Sequence, residues 1–284
     1  MDAYTALTIS VPLEREEDVK GYLLVNYAVE GFEEEPGGGM VTYITGDWSE
    51  AIKQEVAAAL QSLGGKLVHA EAIENKDWNA DWEASIEPLA VTSELVISPS
   101  WKLDAAQALT SKHLLIIDPK MSFGTGHHET TRLCLELIET LDCNGKTVLD
   151  VGTGTGALAM YALRRGATHA VGIDTDEWSF ANAVENRDLN NITAEDFDIR
   201  FGDLKQTIKQ DERFDIVIAN IHRNVLLPLA PELYSHVASS GSLMLSGILT
   251  YDVDEVRRAY LGTGFVFVTQ QQEHEWVALM FAKN

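Results

Sequence analysis

The chain has 284 residues, 45% of them hydrophobic, which is enough for one large domain or two smaller ones with packed cores. Its 44 acidic and 21 basic residues give a formal net charge of −23, which argues against a nucleic-acid backbone as the principal partner. The lack of an apolar run of about 18 residues and of a signal-peptide pattern predicts a cytoplasmic protein that contacts no membrane and keeps its two cysteines reduced.

The first 73 residues alternate between strand-like and helical patterns. Tyr4 to Val11 alternates as a strand does, and Ser49 is a suitable N-cap for a periodic segment that stops at Gly64. The predicted elements are strand 4–11, helix 14–29, strands 32–35 and 40–45, helix 49–63 and strand 66–73. This β-α-β-β-α-β order predicts a ferredoxin-like domain over residues 1–73, which we interpret as a recognition module because it carries no cofactor motif.

Negative charge is concentrated in the first third of the chain. Residues 1–90 contain 5 basic and 18 acidic side chains, a net charge of −13. One interpretation is an acidic face that only contacts solvent, and the other is a docking surface for a basic substrate. The charge alone leaves both interpretations open.

Residues 74–87 form a polar segment with a helical pattern, which we predict to be a linker. Trp78 and Trp82 are four residues apart and would share one helix face, where they could pack beneath a neighbouring domain. From residue 88 to 284, predicted strands alternate with helices, the fifth strand of the sheet is Ser242 to Leu245, and the last two strands form a hairpin. We therefore predict a Rossmann-like, doubly wound α/β domain over residues 88–284, with an antiparallel edge.

A glycine-rich turn is the most informative motif of this second domain. An apolar strand runs into Asp150, three alternate glycines follow at Gly152, Gly154 and Gly156, and the next strand ends at Asp174. The glycines let the backbone approach a ligand, and the second acid can accept hydrogen bonds from ribose hydroxyls. The spacing differs from the dinucleotide motif, so a ligand with one ribose and no phosphate fits better. We expect S-adenosylmethionine, with S-adenosylhomocysteine as the product.

The segment 122–131 is rich in Gly, Ser and Thr and precedes a helix. Its backbone N–H groups and hydroxyls could bind the carboxylate of a methionine moiety, so Phe123 and Thr125 are cofactor-binding candidates. His127, His128 and Glu129 are adjacent in sequence, so their side chains diverge, and we expect no metal site. A G-x-S-x-G nucleophile motif is absent, which argues against a serine hydrolase.

Two polar residues at predicted strand ends are candidates for chemistry. Asn220 ends the fourth strand of the sheet beside the glycine-rich turn, where its amide could accept a hydrogen bond from an attacking amine. The competing interpretation is an ordinary cap of the next turn. Asp203 follows the third strand and could receive the exocyclic amine of adenine, but an ordinary turn aspartate explains it equally well.

Together these segments resemble the ribosomal protein L11 methyltransferases of bacteria. The resemblance covers essentially the whole second domain, and more loosely the first domain and the linker. It rests on six segments in order: Phe123-Gly124-Thr125-Gly126-His127-x-x-Thr130-Thr131, Asp150 to Gly156, Gly172-Ile173-Asp174, Asn220-Ile221, Ser246-Gly247-Ile248-Leu249 and Glu275-Trp276.

The resemblance implies residue roles and a substrate. It places Thr131, Gly152, Asp174 and Asn220 at cofactor-binding positions, and it implies methylation of amino groups on a basic ribosomal protein that the N-terminal domain recognises. Two departures affect the loop geometry: His128-Glu129 stands where the family usually has a proline, and Thr153 and Thr155 replace Cys and Ser between the glycines.

Three other functions share part of this pattern. An adenine methyltransferase of nucleic acids would also use an amide at this strand end, but the motif lacks its aromatic and proline residues and the charge opposes nucleic acid. A small-molecule amine methyltransferase is a further alternative. A non-catalytic module that kept the sheet and lost the cofactor is the rival of another class, and a titration with S-adenosylmethionine would identify it.

Overall fold

The computed structural model describes residues 4–34, 39–45, 48–73, 86–109, 112–120 and 122–284. Contacts between residues divide the chain into two compact units, residues 1–82 and 83–284. The predicted linker falls mostly on residues 74–85, which include Trp78 and Trp82 and lie outside the described residues. Within the described residues, no helix has the length and apolar character that crossing a membrane requires.

The first unit is a four-stranded sheet with two helices. Its strands pair in the order β2-β3-β1-β4, and every pair is antiparallel. Its elements are β1 (Tyr4–Ser10), a 3-10 turn (Leu13–Arg15), α1 (Glu16–Asn26), β2 (Ala28–Glu34), β3 (Met40–Thr45), α2 (Glu50–Ser62) and β4 (Lys66–Ile73). The β-α-β-β-α-β prediction is therefore confirmed. Ser49 caps α2 as expected, because its hydroxyl accepts a hydrogen bond from the Ile52 N–H at 3.4 Å.

The core of this unit lies between the sheet and its helices. Alternate residues of β1 face it, which is the pattern expected when a sheet has one buried side. Its fully buried members are Leu7, Ile9, Val19, Leu23, Met40, Val56 and Leu60.

The second unit contains a seven-stranded sheet in the order β10-β9-β8-β11-β12-β14-β13, and a small sheet in the order β5-β6-β7. Its strands are β5 (Leu89–Ala90), β6 (Leu95–Ser98), β7 (His113–Ile116), β8 (Thr147–Val151), β9 (His169–Asp174), β10 (Phe197–Phe201), β11 (Phe214–Asn220), β12 (Val237–Leu249), β13 (Val266–Glu273) and β14 (Trp276–Ala282). Its helices are α3 (Leu103–Ala106), α4 (Glu129–Thr140), α5 (Ala157–Arg164), α6 (Glu177–Leu189), α7 (Leu204–Thr207), α8 (Arg223–His236) and α9 (Val253–Gly262), with 3-10 turns at Ser100–Lys102 and Thr250–Asp252.

The large sheet is parallel from β10 to β12, and β14 joins it antiparallel to both β12 and β13. This confirms the predicted doubly wound sheet with an antiparallel edge. The chain runs outward from β8 to β10 and then returns to β11 on the other side of β8. That reversal opens a crevice at the carboxyl ends of β8 and β11, where open α/β sheets bind their ligands.

Both faces of this sheet are covered. Ile216 and Ile218 of β11 pack into the cluster that contains α4 and α5, whereas Val217 and Ala219 pack into the cluster that contains α8 and α9. The central strands are therefore apolar at nearly every position, as burial on two sides requires. A polar side chain such as Asn220 has space only where the strand leaves the sheet.

The fifth strand of this sheet is longer than predicted. The sequence predicted a strand over Ser242–Leu245, but β12 continues to Leu249. Its register against β14 shifts between Leu245 and Ile248, so Ser246 and Gly247 form an irregularity within the strand rather than a turn. Gly247 has a φ of +78°, and a Cβ there would lie 2.5 Å from the Ile221 carbonyl oxygen.

Candidate functional site

The glycine-rich turn lies in the crevice at the carboxyl end of β8. Gly152, Gly154 and Gly156 all have positive φ, at +72°, +54° and +82°. A Cβ at Gly154 would lie 2.3 Å from the Phe123 carbonyl oxygen, and one at Gly152 would lie 2.3 Å from Cγ2 of Ile221. Both positions therefore require glycine for conformation and for space.

The loop at 122–128 is fixed directly onto this turn. The Thr155 N–H donates to the Phe123 carbonyl oxygen at 2.9 Å, and the Thr155 hydroxyl donates to the Gly124 carbonyl oxygen at 2.8 Å. The two segments predicted to hold the cofactor are thus brought together. Because these bonds use Thr155, the change from Ser to Thr relative to the family pattern keeps the hydroxyl that makes the contact.

Asp174 closes β9 on the adjacent side of the turn. Its Oδ2 accepts from the Gly154 N–H at 2.9 Å, and its Oδ1 accepts from the Asp176 N–H at 3.0 Å. Asp174 is only partly buried. Since a carboxylate has about four acceptor sites, it retains capacity for ribose hydroxyls while it fixes the turn.

Asp150 is fully buried beneath the turn. Its Oδ2 accepts from the Thr153 hydroxyl at 2.8 Å, whereas its Oδ1 has no hydrogen-bond partner. Burial raises the pKa of Asp150 to about 7, despite the opposing effect of the Thr153 bond. The acid that precedes the glycines is therefore poised to ionise near neutral pH.

Asn220 is the last residue of β11, next to the crevice. Ala219 is paired with Val151 of β8, so Asn220 follows at the level where the glycine-rich turn begins. Its side-chain Oδ1 is buried and has no partner. The predicted position is thus observed, and no turn-capping bond from this oxygen accompanies it.

Of the eight buried side-chain polar atoms without partners in the described residues, half lie on the segments around the crevice. Such atoms are uncommon because each one left unpaired costs free energy. Four of them belong to the segments discussed above: Ser122 Oγ, Thr131 Oγ1, Asp150 Oδ1 and Asn220 Oδ1. Together with the glycine cradle, this set of polar atoms fits the chemistry of a polar ligand such as S-adenosylmethionine.

Asp203, predicted as a site residue, has a structural role as a helix cap. It lies beyond the carboxyl end of β10 and caps the short helix α7 in a capping box with Gln206, whose N–H it accepts at 2.9 Å. This bond accounts for an aspartate at a turn without any ligand. A role in contacting adenine stays a prediction.

Aromatic rings from two parts of the chain lie together at this loop. Phe123 is 49% exposed, and the centroid of its ring lies 5.1 Å from that of His128. The centroid of the His128 ring lies 5.1 Å from that of Trp276. Thr125, also predicted as a site residue, has its hydroxyl 3.3 Å from His127 Nδ1. Trp276 belongs to a motif of the family resemblance, but its place beside the loop follows only from the fold.

The histidine pair has structural roles. His128 caps α4, because its Nδ1 accepts a hydrogen bond from the Thr130 N–H at 3.2 Å. Burial lowers the pKa of His127. No group of three or more His, Cys, Asp or Glu side chains within the described ranges is arranged to hold a metal ion.

Arg132 connects the same helix to the last hairpin. Its Nε lies 3.1 Å from each carboxylate oxygen of Glu273, and its guanidinium also donates to the His127 carbonyl oxygen. Oε1 of Glu129 lies 3.3 Å from Nδ1 of His274, a pair that is ionic when the histidine is protonated. These ion pairs join the N-terminus of α4 to the hairpin that carries Trp276.

The chain is similar to proteins of one family. A sequence profile described as ribosomal protein L11 methyltransferase matches residues 17–284. A Bacteroides fragilis protein of that name is 35% identical over 93% of each chain, and one from Lactobacillus johnsonii is 34% identical over 78% of this chain and 69% of its own. The crystal structure of a ribosomal protein L11 methylase from Lactobacillus delbrueckii subsp. bulgaricus is 30% identical, with a TM-score of 0.64, over 70% of this chain and all of that chain.

We predict that Gly154→Ala weakens binding of S-adenosylmethionine at least tenfold. The new Cβ would force the Phe123 carbonyl oxygen away from Thr155 and so displace the loop from the turn. Gly145→Ala is the matched control, because Gly145 has a φ of +72° but nothing within 4 Å of its Cβ position. Both variants should lose about 1–2 kcal/mol of stability from left-handed strain. Calorimetric affinities that fall equally in the two variants would contradict the steric account.

We also predict a pH-dependent gain in stability from Asp150→Asn. The folded protein holds a proton on Asp150 up to about pH 7, whereas the unfolded chain releases it near pH 4. The wild-type protein therefore loses stability relative to the variant as pH rises from 4 to 7. Urea unfolding of the cofactor-free proteins at pH 5 and pH 8 should show the difference between them grow by more than about 1.4 kcal/mol, one pKa unit. A pH-independent difference would show that burial does not shift this acid.

Proposed function

The chain belongs to the ribosomal protein L11 methyltransferase family, and from that premise we propose that it transfers methyl groups from S-adenosylmethionine to amino groups of a basic large-subunit ribosomal protein. The observation that carries this proposal is the buried, unpartnered amide oxygen of Asn220 at the carboxyl end of β11. A polar acceptor is costly to bury unless its partner arrives with a ligand. An amine supplies the N–H donor that this oxygen lacks.

In this proposal, different residues around the crevice bind different parts of the cofactor. Asp174 accepts the ribose hydroxyls, and Asp203 offers an acceptor toward adenine. The buried carboxylate of Asp150 suits the ammonium group of the methionine moiety. The other proposed cofactor-binding residues are Phe123, Thr125, Thr131, Gly152, Gly154 and Gly156. When bound, S-adenosylmethionine supplies a methyl group that is electrophilic because it is attached to a sulfonium.

Asn220 has the role of orienting the amine. A lysine amino group has a pKa near 10.4 in water and attacks only when neutral, so the site must favour its neutral form. Removal from water does so, because desolvation disfavours the ammonium. The Asn220 amide oxygen then accepts one N–H and turns the nitrogen lone pair toward the methyl group. Most of the rate enhancement comes from this orientation.

The N-terminal unit supplies recognition of the substrate in this proposal. Its residues 1–82 carry 16 acidic and 5 basic side chains, a net charge of −11, and its fold carries no cofactor motif. Opposite charge accelerates the encounter with a basic protein and fixes its approach. A ribosomal substrate would also place the enzyme in the cytoplasm, whether it acts on the free protein or on the ribosome.

Transfer of a labelled methyl group tests the proposal directly. The wild-type protein is incubated with S-adenosylmethionine carrying an isotopic methyl group and with ribosomal proteins, and the labelled polypeptide is identified by mass spectrometry. We expect the label on amino groups of one large-subunit protein. Label confined to ribosomal RNA, or found on no polypeptide although the cofactor binds, would overturn the proposal.

We predict that Asn220→Ala lowers kcat more than tenfold, equivalent to about 1.4 kcal/mol on the barrier, with a smaller effect on cofactor affinity. The reason is that the amide acts on the incoming amine. Asn224→Ala, an exposed asparagine in the first turn of α8, is the control and should retain activity. An Asn220→Ala enzyme with normal kcat but poor cofactor binding would make Asn220 a cofactor contact only.

We predict that neutralising acids on the N-terminal unit weakens the use of the protein substrate. Glu33 and Glu71 are exposed, so Glu33→Gln/Glu71→Gln should lower kcat/KM at least about twofold at low salt. The difference should vanish as added salt shortens the Debye length from about 10 Å to about 3 Å. Glu195→Gln/Asp211→Asn removes two exposed acids from the other unit and should have no effect. Equal losses of kcat/KM in the two double variants would mean that the acidic residues of the N-terminal unit have no specific role in substrate binding.

A further inference from the structure

Three buried asparagines lie on one face of α6 and at its C-terminal end. Asn182, Asn186 and Asn190 follow each other at intervals of four residues and are 2%, 0% and 2% exposed. Residues four apart share a helix face, so the three side chains form a row. A buried amide is costly without hydrogen bonds, and the row is therefore explained only by what it contacts.

The row binds the backbone of the segment that leaves β7. Asn190 accepts from the Ile116 N–H at 3.0 Å and donates to the Ile116 carbonyl oxygen at 2.7 Å. Asn186 accepts from the Asp118 N–H at 2.9 Å, and Asn182 donates to the Asp118 carbonyl oxygen at 2.8 Å. β7 is the edge strand of its sheet, and the asparagine amides form hydrogen bonds to its backbone on the side that does not face β6. They thereby attach residues 116–118 to α6.

Asn186 differs from Asn190 in its second hydrogen bond. Its Nδ2 donates to the carbonyl oxygen of Thr155 at 3.2 Å, within the glycine-rich turn. Thr155 is also the residue whose N–H and hydroxyl bind Phe123 and Gly124. One buried amide thus joins the backbone before the 122–128 loop to the turn on which that loop rests.

We propose that Asn186 is a positioning residue for the cofactor, because it sets the spacing between the glycine-rich turn and the start of the 122–128 loop. The inference rests on the proposed function insofar as the ligand is S-adenosylmethionine. Residue 155 is held from both sides, by the loop and by α6. The same helix is capped by Asp176, whose N–H donates to Asp174 at 3.0 Å, so α6 positions both the loop and the aspartate proposed to bind the ribose.

The chemistry of the side chain explains why asparagine serves here. The bonds need one acceptor for the Asp118 N–H and one donor for the Thr155 carbonyl oxygen, at a distance that a short side chain spans. Aspartate would offer the acceptor without the donor. Serine is shorter, and leucine would leave two buried backbone groups unpaired.

Asn190 provides a matched control for the test. It has the same side chain and similar burial, and it bonds the β7 segment twice and the Asn186 carbonyl oxygen once, at 2.8 Å, but it makes no bond to the turn. Asn186→Ala and Asn190→Ala are compared with the wild-type protein in thermal unfolding, in calorimetric binding of S-adenosylmethionine below the unfolding range, and in amide hydrogen exchange of the cofactor-free protein. Asn186→Asp serves in place of the alanine variant if that variant does not fold, since it removes the donor to Thr155 alone.

We expect both alanine variants to lose similar thermal stability. Only the change at Asn186 should weaken binding tenfold or more and accelerate exchange in peptides covering residues 122–131. Equal effects of the two variants on affinity and exchange, or no effect of either, would overturn the positioning role. If the wild-type protein itself fails to bind S-adenosylmethionine, the proposed function fails, and hydrogen exchange without ligand still decides whether Asn186 holds the loop.

Discussion

The functional site depends on a close backbone contact between the glycine-rich turn and the 122–128 loop. Two carbonyl oxygens of the loop receive hydrogen bonds from Thr155, across a position where Gly154 leaves no space for a Cβ. The contact explains why the turn has a glycine at this position, why a hydroxyl follows it, and why the loop precedes the sheet in sequence yet forms one wall of its crevice.

This arrangement stores free energy in polar atoms that lack partners. Asp150 and Asn220 each have a buried oxygen without a hydrogen bond, and burial raises the pKa of the Asp150 carboxyl. Such groups lower the stability of the empty protein, but a ligand that supplies the missing donors recovers the cost on binding. The rigid elements behind them, α6 with its asparagine row and α4 with its ion pairs, keep these atoms in place without the ligand.

The sequence predicted the parts of the structure that local patterns encode. The order of helices and strands along the N-terminal unit, the turn with Asp174, and Asn220 at a strand end follow from periodicity and from the polarity of strand ends. The continuation of β12 through Ser246 and Gly247 was missed, because it depends on strands from elsewhere in the chain: Ser246 pairs with Asn220 of β11, and pairing with β14 resumes at Ile248. Helix α8 contains Pro228 and Pro231, and its packing on the sheet outweighs their unfavourable propensity. The bonds of Asn186 join residues 31 and 68 positions away, which no local pattern reveals.

The most direct test of this account is a calorimetric titration of S-adenosylmethionine into the wild-type, Asp174→Ala and Asp176→Ala proteins. Both aspartates lie at the start of α6, but Asp176 caps the helix through the Ser179 N–H and is not assigned to the ligand. The account predicts that the wild-type protein binds, that Asp174→Ala binds one to two decades more weakly, the loss expected for a charged acceptor worth about 1.5–3 kcal/mol, and that Asp176→Ala stays within about threefold of wild type. Equal affinities in all three proteins, or no binding to the wild-type protein, would contradict it.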